Sequence, residues 1–143
     1  MLHELVEDND SSTTDSQKKK KNIVWIHGAR NGKYHPFRRE VQELIATKER
    51  TASRIHSLAT HVAYSRPNLD DVLRQDYDSM ERINVKLIKS LLLQQQSTTG
   101  GGGGVDSDNT FFYMCGNGSF MAEIEDGLLQ EGANSNNILY ETF

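Results

Sequence analysis

The stretch FFYMCGNGSFMA, residues 111–122, constrains the fold of this chain more than any other. Residues 111–114 form a short aromatic and apolar run, which is typical of a covered parallel strand. Gly116 and Gly118 then allow the backbone to turn sharply and a ligand to approach closely. A helix that begins near Ser119 directs its free amide groups at this turn, which favours phosphate or another electron-rich group. The pattern therefore predicts a strand, a tight turn and a helix.

Cys115 lies at the carboxyl end of this strand, where open α/β sheets bind ligands. Two interpretations stay open from the residues alone: Cys115 is part of such a site, or it is a small buried hydrophobe in an ordinary strand-to-helix turn. Residues 116–121 carry two of the three glycines of a dinucleotide fingerprint, which is weak evidence by itself. The five histidines and one cysteine show no metal-ligand spacing, so no metal site is predicted.

Apolar patterns along the chain predict alternating strands and helices. This β-α-β-α-β-α-β order predicts an α/β fold, a doubly wound parallel sheet with helices on both faces in three α/β/α layers. The predicted strands are residues 22–27, 55–64, 111–114 and 137–142, and the predicted helices are residues 37–45, 83–93 and 119–130.

Two polar, low-complexity stretches separate these elements. A short helix at residues 1–6 precedes a polar segment that ends at residue 21 and is predicted to be a mobile linker. The stretch QQQSTTGGGGG, residues 94–104, would need a lysine or a helix directly after it to be a phosphate loop. Neither follows, so it is predicted to be a flexible linker within an insertion at residues 94–109. Residues 22–143 then form one domain.

Composition excludes several classes of partner. The formal net charge of −4 leaves no basic surface for nucleic acid, and the run of four lysines beside acids favours a solvated linker over an RNA or membrane patch. No apolar run approaches the roughly 20 residues that a membrane span needs. One cysteine rules out an internal disulfide, and the acidic N-terminus lacks a signal-peptide pattern, so a cytoplasmic protein is expected.

Polar residues follow each predicted strand, and parallel strands bring these ends to one sheet edge. Arg30 and Asn31 follow the first strand, Ser65 and Arg66 follow the second, and the turn at residues 115–118 follows the third. Arg66 is suited to pair with a ribose phosphate, and Ser65 to hydrogen-bond it. The alternative is that Arg66 is an ordinary surface arginine.

Several of these segments, in this order, resemble the C-terminal part of a flavohaemoglobin, the nitric oxide dioxygenase family. They also resemble, more broadly, the NAD(P)-binding half of ferredoxin-reductase-like flavoenzymes. The segments are WIHGARNGKYHPFRREVQEL, HVAYSRP, RINVKLIKSLL and FFYMCGNGSFMAEIEDGLLQEG, followed by ILYETF. The resemblance implies NAD(P)H-driven reduction of FAD and then haem, which turns nitric oxide and oxygen into nitrate.

The resemblance also implies roles for individual residues. Cys115 and Gly116 match the family's Cys-Gly-Pro turn beside the nicotinamide, with Asn117 in place of proline, which makes the loop less rigid. Glu141 matches an acid that tunes the redox centres, so Cys115 and Glu141 are the predicted catalytic residues. The predicted cofactor-binding residues, for the adenosine ribose or its 2′-phosphate, the nicotinamide and FAD, are Ser65, Arg66, Cys115, Gly116, Asn117, Gly118, Thr142 and Phe143.

The chain lacks the family's globin domain, its FAD barrel and its first strand with a glycine-rich turn. In the family that strand lies between the first and third strands present here. Its loss leaves backbone groups of both neighbours unpaired, at about 1–3 kcal/mol for each buried group. Because a domain is stable by only about 5–15 kcal/mol, we expect poor folding and little reductase activity for the chain alone. Two alternatives stay open. The chain is an enzyme fragment that works with another chain carrying the FAD domain, or it is a non-catalytic α/β module whose sheet is completed by a strand from a partner.

Overall fold

In a computed structural model of the chain, the described residues are 21–47, 55–99 and 103–141. They fall into two compact units, Met1–Met80 and Glu81–Phe143. The predicted helix at residues 1–6, most of the polar linker, Thr142 and Phe143 lie outside the described residues. The described strands and helices are β1 (Lys21–Ala29), α1 (Arg38–Ala46), β2 (Ile55–Tyr64), α2 (Val85–Thr99), β3 (Phe112–Cys115), α3 (Gly118–Gln130) and β4 (Ile138–Glu141), with 3-10 turns at Gly32–Tyr34 and Ser135–Asn137.

The first unit is built on a parallel pair of strands, β1 and β2, in a register that ends with Ala29 opposite Tyr64. Both strands are rich in β-branched and aromatic residues, which fit a pleated surface. Parallel strands need a long crossover connection, and α1 lies in it. Tyr64, the last residue of β2, is completely buried, so the core of this unit reaches the carboxyl end of the strand pair.

The segment after β2 returns to lie along β2. Tyr64 N–H donates to Ser79 O at 2.9 Å and Asp78 N–H donates to Val62 O at 2.7 Å. The Asp78 carboxylate also accepts from Val62 N–H at 2.8 Å. The segment therefore supplies partners to the backbone groups at the end of β2, although much of it is exposed.

The second unit is built on the parallel pair β3 and β4, in which Phe112 lies opposite Ile138. Residues of β3 alternate between buried and exposed, as expected for a strand with one covered face. Three residues of α3 are buried, and Gly127 of that helix lies against Val85 of α2. The buried apolar residues of this unit are Leu87, Ile88, Val105, Phe112, Met114, Met121, Ile124, Leu128, Ala133 and Ile138.

The prediction that a linker begins at residue 94 is wrong, because α2 continues through Thr99. Glutamine is a good helix former, and the Ser97 and Thr98 hydroxyls donate to carbonyls one turn earlier, at 3.1 and 3.0 Å. The end of the predicted insertion is also tied to the fold. Val105 is buried, and the Asn137 amide donates to the carbonyls of residues 108 and 110.

The described residues confirm a mixed α/β structure in which the ladders of both units are parallel. The strands pair as β1–β2 and β3–β4, so the single doubly wound sheet with three layers stays a prediction. Within the described ranges, none of the helices combines the length and apolarity that crossing a membrane would need.

Substitution of Gly127 tests the packing of α2 on α3. A Cβ at Gly127 would collide with a methyl group of Val85, a β-branched side chain with little freedom to move. We expect Gly127→Ala to lower the free energy of unfolding by about 1 kcal/mol, because an overpacking cost of about 1–3 kcal/mol exceeds the helix-propensity gain of about 1. Urea unfolding followed by circular dichroism measures this difference.

Gly118→Ala is the matched control, because a Cβ there meets no atom within 4 Å. It should leave the unfolding midpoint unchanged or raise it slightly. Equal midpoints for the two alanine variants would contradict the close packing at Gly127.

Candidate functional site

The loops that follow β1 and β2 lie side by side. Ser65 N–H donates to Ala29 O at 3.0 Å, and Arg66 N–H donates to Arg30 O at 2.8 Å. Backbone pairing therefore continues beyond the strands, and the predicted adjacency of these two loops is confirmed. We call residues 30–35 and 65–71 the rim loops.

Asp71 fastens the two rim loops together. Its carboxylate accepts the Gly32 N–H, at 3.2 and 3.3 Å to the two oxygens, and the Asn68 N–H at 2.6 Å. The amide of Asn31 also donates to Asn68 Oδ1 at 3.3 Å. A Cβ at Gly32 would collide with the Asp71 carboxylate, so a larger residue there would displace this contact. Sequence reasoning missed Asp71, although an aspartate that caps nearby backbone amides is a common turn signal.

A group of packed rings joins the first rim loop to the two strands. His35 Nδ1 is 2.9 Å from the Tyr64 hydroxyl, and the His35 ring stacks on His27 with centroids 4.5 Å apart. The Tyr77 ring stacks on the Tyr64 ring, with centroids 5.0 Å apart. Burial, the nearby His27 and Arg38 lower the pKa of His35 to about 4, and burial also lowers the pKa of His27. Both imidazoles are therefore neutral at pH 7.

Two polar atoms of this region are buried without a hydrogen-bond partner among the described residues: His27 Nε2 and Asn31 Oδ1. Asn31 is only 6% exposed. An unpaired buried donor or acceptor costs about 1–3 kcal/mol, so such atoms are rare where a fold is optimised only for stability. His27 lies near the end of β1, and Asn31 follows that strand in the first rim loop.

Arg66 and Ser65 are exposed on the rim. The guanidinium of Arg66 has no ion-pair partner among the residues that the structure describes. By contrast, Arg38 is paired with Asp76, and the pKa of Asp76 is lowered by the hydrogen bond from Val72 N–H and by Arg38. The exposure of Arg66 agrees with both interpretations that the sequence leaves open.

In the second unit, Cys115 is exposed at the end of β3, so its interpretation as a buried hydrophobe is wrong. Cys115 is the ladder partner of Glu141, the last residue of β4, which is also exposed. The structure thus brings the two predicted catalytic residues next to each other. Their chemical roles remain predictions.

Asn117 gives the turn after β3 a restraint that sequence reasoning missed. Its side-chain oxygen accepts the Phe120 N–H and the Ser119 hydroxyl, both at 2.9 Å, and so caps α3. The sequence predicted a less rigid loop because Asn117 replaces a proline, but it did not predict that the Asn117 side chain caps the helix. A Cβ at Gly116 would lie 2.9 Å from the Phe120 ring, whereas Gly118 faces open space. The predicted approach of a ligand therefore has room at Gly118.

The predicted site residues divide between the units. Ser65 and Arg66 belong to the first unit, and the turn at residues 115–118 with Glu141 belongs to the second. The convergence of this turn on the rim loops stays a prediction. Within the described ranges, no group of three or more His, Cys, Asp or Glu side chains is arranged to hold a metal ion.

Comparison with known proteins supports the resemblance seen in the sequence. Residues 1–126 match the family described as an oxidoreductase NAD-binding domain. The flavohemoprotein of Chromobacterium violaceum is 28% identical over 121 residues, which cover 85% of this chain and 25% of the relative. The flavohemoprotein of Bacillus subtilis strain 168 is 25% identical over 131 residues, which cover 92% of this chain and 28% of the relative.

The flavohemoprotein of Rhizobium meliloti strain 1021 is 28% identical over 122 residues, which cover 85% of this chain and 25% of the relative. The chain therefore spans about a quarter of the length of the curated relatives it matches.

Acidification tests the neutral histidine stack. The folded pKa of His35, about 4, lies below its ordinary value of 6.5, so the unfolded chain binds more protons between these pH values. The free energy of unfolding should fall as pH drops from 6.5 towards 4. Because His35 is partly exposed, solvent screening limits its contribution to roughly 1 kcal/mol. Urea unfolding at several pH values measures the slope.

The control is His35→Gln, which removes this titration and should flatten the pH dependence, leaving the part due to His27 and to carboxylates. An identical slope in both proteins between pH 6.5 and 4 would exclude the proposed state of His35.

Proposed function

The chain belongs to the oxidoreductase NAD-binding domain family, and on that premise we propose that it is the NAD(P)H-binding part of a flavohaemoglobin-like oxidoreductase. One observation carries the proposal: the consecutive backbone hydrogen bonds that hold the Ser65–Arg66 turn beside the loop after β1. They build the carboxyl edge of a parallel strand pair, which is where such sheets bind nucleotides.

The rim residues fit the adenosine end of a dinucleotide. The Arg66 guanidinium is exposed and offers a fork of N–H donors to a phosphate or ribose oxygen, and the Ser65 hydroxyl can donate beside it. Asp71, one of the two acids of the rim loops, does not oppose this, because backbone amides already occupy its oxygens. The rim loops therefore present the Arg66 cation, and the Asp71 carboxylate is already hydrogen-bonded to backbone amides.

We place the nicotinamide end at the turn after β3. When bound, the nicotinamide supplies a hydride for a flavin. Cys115 and Glu141 stand exposed as ladder partners at this end of the second unit, where they would orient the ring and influence the local charge. The open space at Gly118 allows the cofactor to approach the backbone, while the Asn117 cap holds the turn in place.

Activity of a whole flavohaemoglobin needs more than this chain. FAD, which Thr142 and Phe143 would contact, and haem belong to parts outside the quarter of the relatives that the chain spans. We infer that nitric oxide dioxygenation requires a further chain or segment that supplies the FAD and globin domains, and that the chain alone has little reductase activity. The single cysteine favours a reducing, cytoplasmic setting.

A second candidate is a non-catalytic α/β module that a partner completes. Its supporting observation is that the described strands form ladders of only two strands, β1–β2 and β3–β4, and two-stranded sheets are marginal by themselves. This pairing is also the one expected when a strand between the first and third is absent. Size-exclusion measurements that show only monomer at all concentrations would exclude completion by a second copy.

Dinucleotide titration tests the main proposal. Arg66→Ala should weaken NADPH binding by about tenfold or more and NADH binding by less than about twofold, because one charge-assisted hydrogen bond contributes about 1.5–3 kcal/mol. Isothermal titration calorimetry or nicotinamide fluorescence measures both dissociation constants. Arg39→Ala is the matched control, because Arg39 pairs only with Glu43 on the exposed face of α1.

Absence of saturable binding of either dinucleotide, even with an added FAD domain, would end the proposal. Equal losses for NADH and NADPH in Arg66→Ala would leave dinucleotide binding in place and remove the 2′-phosphate role of Arg66.

A further inference from the structure

We propose that Arg30 is a second phosphate-binding residue, which forms with Arg66 a two-guanidinium site for the 2′-phosphate of adenosine and makes the chain select NADPH over NADH. This inference rests on the dinucleotide-binding function proposed above. It adds a residue that the sequence did not single out as a ligand, and it names the cofactor.

The first argument is the backbone geometry of the rim. Arg66 N–H donates to the carbonyl of Arg30 itself, at 2.8 Å, one residue after Ser65 N–H donates to Ala29 O. Backbone segments joined by such hydrogen bonds lie roughly 5 Å apart, so the two arginines project from adjacent backbone positions. Both residues are exposed. A single phosphate group is thus within reach of both long side chains.

The second argument is the way charges are paired in the first unit. Arg38 is paired with Asp76 and Arg39 with Glu43, so these cations are already neutralised. Arg30 and Arg66 have no ion-pair partner within the part of the chain that the structure describes. Two unneutralised guanidinium groups on adjacent loops repel each other, and a doubly charged anion between them removes that repulsion.

The third argument concerns Asp71, the acid that would be expected to weaken such a site. Its two oxygens accept the N–H groups of Gly32 and Asn68, each of which lies two residues after one of the arginines. Its charge is therefore directed at backbone amides, and its contacts hold the two rim loops in register. Asp71 is a positioning residue, because it acts on the ligand only through the loops that carry Arg30 and Arg66.

The chemistry of the two dinucleotides gives the selectivity. A phosphomonoester carries a charge of about −1.5 to −2 at pH 7 and three strong acceptor oxygens, which suit two planar guanidinium forks. NADH has a neutral hydroxyl at the same position and gains nothing from a second arginine. The pyrophosphate is common to both dinucleotides, so a role in binding it would not produce selectivity.

The experiment uses the full chain and four variants: Arg30→Gln, Arg66→Gln, the double variant and Lys33→Gln. Lys33 is an exposed cation of the same rim loop that makes no backbone contact with the Arg66 turn in the structure, so its variant reports the loss of one charge alone. Dissociation constants for NADPH and NADH are measured at low and moderate salt, and 2′-AMP is compared with 5′-AMP as a competitor of equal size and similar charge.

We expect Arg30→Gln to raise the dissociation constant of NADPH by about tenfold and that of NADH by less than about twofold. It should also abolish the preference for 2′-AMP over 5′-AMP. Lys33→Gln should change NADPH binding by less than about threefold, an effect that salt removes. The double variant should lose less than the product of the single losses, since both groups hold one phosphate. Arg30→Lys, which keeps the charge, should restore part of the binding.

If Arg30→Gln raises the NADPH dissociation constant no more than Lys33→Gln does, or weakens NADH binding as much as NADPH binding, the inference is overturned. The proposed dinucleotide binding is not affected by either result. Equal competition by 2′-AMP and 5′-AMP in the unmodified chain would also overturn the inference. If the unmodified chain binds neither dinucleotide, the proposed function itself fails. Circular dichroism of every variant, together with Arg30→Lys, separates loss of the ligand contact from loss of the fold.

Discussion

The candidate site depends on backbone pairing that continues beyond the ends of β1 and β2. Two hydrogen bonds, from Ser65 to Ala29 and from Arg66 to Arg30, turn two separate loops into one surface. Asp71 also joins the two loops, because its carboxylate accepts hydrogen bonds from backbone amides of both. Without these contacts the arginines would lie on independent loops, and holding both on one ligand would cost the conformational entropy of ordering each loop.

The sequence predicted the order and type of the elements well, because runs rich in β-branched and aromatic residues, such as those of β1 and β2, favour strands. It predicted the end of α2 poorly. Low complexity suggested a linker at residues 94–99, but glutamine favours a helix, and the Ser97 and Thr98 hydroxyls bond back to it. Composition does not reveal such local hydrogen bonds.

The candidate site was predicted only in part, for a related reason. Ser65, Arg66 and Cys115 were recognised by their place after strands, and the structure places all three exposed. Asp71 and the Asn117 cap were missed, because each acts through backbone amides whose positions depend on the folded loops. The adjacency of Cys115 and Glu141 depends on the β3–β4 register, which no local pattern specifies.

Mapping of amide chemical shifts by NMR on titration of the labelled full chain with NADPH tests the central claim most directly. If the rim loops bind the adenosine 2′-phosphate, the largest perturbations fall on the amides of residues 29–32 and 65–68 and saturate together, while those of α1 and of residues 73–77 change little. Perturbations centred on α1 or on residues 73–77, or spectra unchanged at high NADPH concentration, would contradict it.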